Sequence, residues 1–90
     1  MDMKPLRPKT AEKVYDILVE VCGAKEDQRN HFVENQTTDA IDEWRFCGKL
    51  GFGGKFRRYD KRLYVDCYPE DETPERRAMI DAANERLKAL

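Results

Sequence analysis

Residues 43–68 read EWRFCGKLGFGGKFRRYDKRLYVDCY, and the fold follows from how this stretch divides into strands. In its first part the apolar period is two. Trp44, Phe46 and Leu50 fall on one side and Arg45, Cys47 and Lys49 on the other, the pattern of a half-buried strand. KFRRY and RLYVDCY continue the alternation across Asp60-Lys61. Such runs, joined by short glycine-rich or polar breaks, predict a three-stranded antiparallel meander.

A slip of one residue would invert every side chain, so the shared apolar face sets the register. Placing Leu50 opposite Phe56 leaves Phe52-Gly53-Gly54 as a three-residue loop, closed by Gly54 in the left-handed region. With Asp60-Lys61 as a two-residue turn, Phe56 lies opposite Val65. The expected core face is then Trp44, Phe46, Leu50, Phe56, Leu63, Val65 and Cys67. The expected opposite face carries Cys47, Lys49, Lys55, Arg57, Tyr59, Arg62, Tyr64 and Asp66, with Lys49, Arg57 and Tyr64 in one row.

Helical periods flank the strands. Ala11, Val14, Tyr15, Leu18, Val21 and Cys22 recur at three and four residues, predicting a helix capped by Thr10 and stopped by Gly23. Residues 24–36, AKEDQRNHFVENQ, favour a second, short helix with Phe32 and Val33 as its anchors. After the strands, Thr73 and Pro74 form a cap and a first helical position. Met79, Ile80, Ala83, Leu87 and Leu90 then make the buried stripe of a last helix. MDMKPLRPK has two prolines and no apolar period, so residues 1–9 read as a flexible arm and 10–90 as a single domain.

Ninety residues support one core. No apolar run approaches the roughly 18–20 residues that cross a bilayer, and the N-terminus lacks the apolar stretch of a signal peptide, so a cytoplasmic protein is expected. Cys22, Cys47 and Cys67 are odd in number and irregularly spaced, as suits reduced thiols. The formal net charge is only −1, but residues 45–62 hold seven bases against Asp60 alone, and residues 66–75 hold five acids and no base. A surface so divided concerns partners rather than fold.

The glycine-rich segment GFGGKFRRY, residues 51–59, fails as a phosphate-binding loop. Lys49 stands where the leading glycine belongs, Phe56 where the hydroxyl belongs, and a strand follows instead of a helix. It also fails as an RNA-recognition element, because the aromatic spacing and element order differ. Cys22, His31, Cys47 and Cys67 contain no C-x-x-C pair, and the expected register separates Cys47 from Cys67 across the sheet, so no metal is expected. His31 has no sequence-local nucleophile to activate, and Glu70, Asp71 and Glu72 lack calcium-loop spacing.

A tryptophan with R-F at 44–46, LGFGGKF at 50–56, YVDCYPEDETPER at 64–76 and NERL at 84–87 together resemble small accessory proteins of tailed phages and prophages. That resemblance implies a phage accessory gene acting in a bacterial cytoplasm, with no catalytic residues to carry over.

The expected fold is α+β, in the order α-α-β-β-β-α, with the terminal helices packed on the Trp44, Phe46, Phe56 and Val65 face. The expected function is non-enzymatic and without a cofactor: binding of a host or phage protein, inhibition of a host defence being one form. The site is Lys49, Lys55, Arg57, Tyr59, Arg62 and Tyr64. The alternative is a single-stranded nucleic acid on that face, its bases stacked on tyrosine and its phosphates neutralised. An exposed edge such as 44–50 is also open to pairing with its own copy.

Overall fold

Pro8 opens the first helix, α1 (Pro8–Cys22), in a computed structural model that describes residues 4–39, 42–59 and 62–90. The helix therefore starts two residues before the expected Thr10, inside the expected arm. Proline has its φ already set for a helix, and the N–H it lacks is one the first turn leaves unpaired anyway. Arg7 precedes it in extended conformation without a side-chain cap. Lys4 and Leu6, ahead of the helix, are held as well, since the Leu6 N–H donates to Gln36 O at 2.9 Å and Arg58 donates to Lys4 O. Gly23, at φ 74°, ends α1 as expected, and the Gly23 and Ala24 amides return to Val19 O and Leu18 O.

A 3₁₀ turn, Glu26–Gln28, leads into the short α2 (Arg29–Glu34), which a π-helical turn, Asn35–Asp39, extends. Phe32 is its main anchor. Fully buried, it has ring centroids of Tyr15, Phe56 and Trp44 at 5.0, 5.4 and 5.5 Å. Aromatic rings tilted at these separations add to the burial of their area.

The strands β1 (Glu43–Cys47), β2 (Gly53–Tyr59) and β3 (Arg62–Asp66) form one antiparallel sheet in sequential order. Phe56 pairs with Val65, Arg57 with Tyr64 and Lys55 with Asp66, the expected register. The expected Asp60-Lys61 turn lies outside the described residues.

At β1–β2 the register differs from expectation. Trp44, not Leu50, lies opposite Phe56, and Phe46 lies opposite Gly54. A 3₁₀ turn at Lys49–Gly51 replaces the end of the strand. Leu50 there is at φ 60° with 65% of its surface exposed, whereas Phe52 is fully buried. Leu50 opposite Phe56 would strand Phe52 at a loop tip, and the phenyl ring has more apolar area to remove from water. The Gly48 N–H closes the turn on Phe52 O at 2.6 Å. Gly54 is not the left-handed closer, a place taken by Leu50 and Gly51. It lies within β2, where a Cβ would stand 2.7 Å from Phe52 Cε1 and against Phe46 Cζ.

The last helix, α3 (Pro74–Lys88), is capped as expected, Thr73 Oγ1 accepting from the Arg76 N–H at 3.2 Å. It buries Met79, Ile80, Ala83 and Leu87, while Leu90, beyond the helix end, is half exposed. Helix α1 packs on α2 and α3, and α3 packs on β3. Together they cover the sheet face bearing Phe46, Phe56 and Val65, in an α+β fold of the expected order.

Candidate functional site: the uncovered sheet face

The odd-numbered residues of β1 and β2 and the even-numbered ones of β3 point away from the helices. Cross-strand pairing arranges them in rows. Glu43, Arg57 and Tyr64 form one, Arg45, Lys55 and Asp66 the next, and Tyr59 with Arg62 a third. Five of the six expected site residues, Lys55, Arg57, Tyr59, Arg62 and Tyr64, are thus brought together. Lys49 is not among them. It sits in the 3₁₀ turn, where a Cβ added to Gly23 would lie 2.8 Å from Lys49 Cβ, so it packs at the end of α1. Glu43, not Lys49, is Arg57's neighbour in the row.

Two side chains join the face without having been expected in the site. Arg45 is exposed and its Nε donates to Glu43 Oε2 at 3.2 Å. Tyr68, just past β3, lies under Lys55, whose Nζ is 4.2 Å from the ring centroid. Arg45 was legible from the alternation, but Tyr68 follows the strand and no period places it.

The face carries Arg45, Lys55, Arg57 and Arg62 against Glu43 and Asp66. Arg57 Nε stands 3.8 Å from Glu43 Oε1, at the limit of an ion pair. Arg62 lies 5.6 Å from the Tyr64 ring centroid. Two of the three tyrosines therefore have a cation over a ring, and only Tyr59, 70% exposed, has no such contact among the described residues.

Arg58 points the other way and is 8% exposed. Its Nη1 donates to Gln36 Oε1 at 3.3 Å, and no carboxylate pairs with it among the described residues. Burial holds this guanidinium below its ordinary pKa.

The cysteines are separated. Cys47 is exposed on the uncovered face, while Cys22 and Cys67 are buried. Burial, opposed by the charge of Lys49, pushes the Cys22 thiol up to about 11. Burial first, then Asp66, raises that of Cys67. His31 is exposed, 5.0 Å from the Trp44 ring. Among the described residues no three His, Cys, Asp or Glu side chains gather as a metal site would require, and no helix is long and apolar enough to cross a membrane.

Compared with known proteins, the chain matches no family model, no curated protein and no solved structure.

Proposed function

We propose that the uncovered sheet face binds an acidic protein surface, with Lys55, Arg57 and Arg62 supplying charge around Tyr59 and Tyr64. The observation that carries this reading is the arrangement of the face. Helices α1, α2 and α3 lie on the opposite side, leaving a surface of four cations, two acids and exposed aromatic area. Arginine and tyrosine are the residues most often found at the energetic centre of protein interfaces. The resemblance to phage accessory proteins suits a role in a bacterial cytoplasm, where occupying a partner's surface, such as that of a host defence protein, suffices.

The nucleic-acid reading is less well supported. Base stacking needs open ring faces, and Lys55 and Arg62 already lie against Tyr68 and Tyr64. The test is capture from nuclease-treated bacterial lysate by the wild-type chain and by Lys55→Glu/Arg57→Glu. A bound protein should survive nuclease, and its affinity for the variant should fall by about tenfold or more. Capture that vanishes with nuclease, together with a salt-sensitive shift on oligothymidine, would favour the nucleic-acid reading instead.

A further inference from the structure

The two edges of the sheet are not equivalent. At the β3 edge, Asn84 of α3 occupies the place of a further strand: its Oδ1 accepts from the Val65 N–H at 2.7 Å and its Nδ2 donates to Val65 O at 3.1 Å. The adjoining Cys67 N–H is taken by Asp66 Oδ1 at 2.8 Å. At the β1 edge nothing comparable is present among the described residues. The Arg58 N–H donates to Asp42 O and the Gly48 N–H to Phe52 O, so the even-numbered residues of β1 bond to β2. The amides and carbonyls of Glu43, Arg45 and Cys47 therefore point outward. A cavity of about 480 Å³ borders this edge, lined by residues 44–47 of β1 and by Lys25, and continues round the end of the sheet to Lys55 and Tyr68.

We propose that this edge pairs antiparallel with β1 of a second copy, about a two-fold axis at Trp44, joining two three-stranded sheets into one. Outward-pointing residues must meet outward-pointing residues, which restricts an axis within β1 to Trp44, Arg45 or Phe46 if several bonded pairs are to form. Charge then selects among them. An axis at Trp44 sets Glu43 opposite Arg45 of the second copy, twice over, on the uncovered face. An axis at Arg45 sets the two Arg45 side chains against each other and leaves Glu43 facing Cys47. An axis at Phe46 sets Arg45 against Cys47. Directly opposed unlike charges stabilise antiparallel pairs and like charges destabilise them.

Trp44 fits the axis. It is only partly buried, and its indole N–H, although enclosed, has no acceptor among the described residues. Edge strands that are neither capped nor broken are templates for such pairing. The proposed pairing does not rest on the partner-binding reading, since the open backbone of the β1 edge carries it, although Glu43 and Arg45, which select the axis, also belong to the uncovered face. A dimer would place two basic faces side by side.

Sedimentation velocity over about a hundredfold dilution tests it, with emission of Trp44, the only tryptophan, as a second readout. The wild type should pass from dimer to monomer, with a shift in Trp44 emission. Glu43→Arg and Arg45→Glu should each weaken the dimer about tenfold or more, and the double exchange should restore it. Far-UV circular dichroism checks that each variant is folded. A wild type that is monomeric throughout overturns the proposal. So do single variants that dimerise like the wild type, the result expected for an axis at Arg45, and so does a double variant as weak as the singles.

Discussion

Leu50 holds a left-handed backbone conformation, φ 60°, with most of its side chain in water. The conformation costs an L-residue about 1–2 kcal/mol, and little burial offsets it here. Leu50→Gly is expected to raise stability by about 0.5–1 kcal/mol, net of the extra freedom glycine gives the unfolded chain, seen as a higher urea midpoint at unchanged slope. An unchanged or lower midpoint would mean that the Leu50 side chain contributes packing that its exposure hides. Glycine is needed nearby for two distinct reasons. Gly51 supplies a positive φ beside Leu50, whereas Gly54 has no room for a Cβ between Phe46 and Phe52. The sequence GFGG shows that some glycine is required but not which requirement each one meets, because room depends on where Phe52 turns.

At the scale of elements, α2 is too short to hold itself, and Arg29 docks it on α1. Its Nη1 lies 2.8 Å from Asp16 Oδ1 and 3.8 Å from Glu12 Oε2, its Nη2 is 2.7 Å from Glu26 Oε1, and the guanidinium lies over Tyr15. The hydrogen bond from Arg29 holds the Glu26 carboxyl below the usual range. A carboxyl depressed in the folded state stabilises fully above its unfolded pKa and loses that contribution as pH falls through the folded value. Stability should therefore decline on acidification below about pH 4.5 partly through Glu26, and Glu26→Gln should flatten that limb of the urea midpoint against pH. Because Glu26 is exposed, the difference is salt-sensitive and small. An acid limb of the same slope in both proteins would show that Arg29 is held by Asp16 and Glu12 without it.

Over the whole molecule, the fold was legible wherever period and burial agree. The alternation of Phe56, Arg57, Val65 and Tyr64 placed β2 and β3 in register, and Thr73-Pro74 marked the start of α3. Five of the six expected site residues followed from the same alternation. Lys49 was lost because its place depended on Leu50 taking a core position that Phe52 fills instead. Arg58 lies outside local reading altogether, since a charge in the apolar phase of a strand is interpretable only when its distant partners are known. Those partners are Lys4 and Gln36, so one guanidinium joins the chain before α1, the turn after α2 and the centre of the sheet. Arg58→Ala removes these hydrogen bonds and the packing of a buried stem, and is expected to cost about 2–3 kcal/mol. Arg57→Ala, one residue away on the open face, should change stability by no more than about 0.5 kcal/mol. Urea unfolding of the two variants compares them directly, and equal losses would mean that Arg58 does not join these segments.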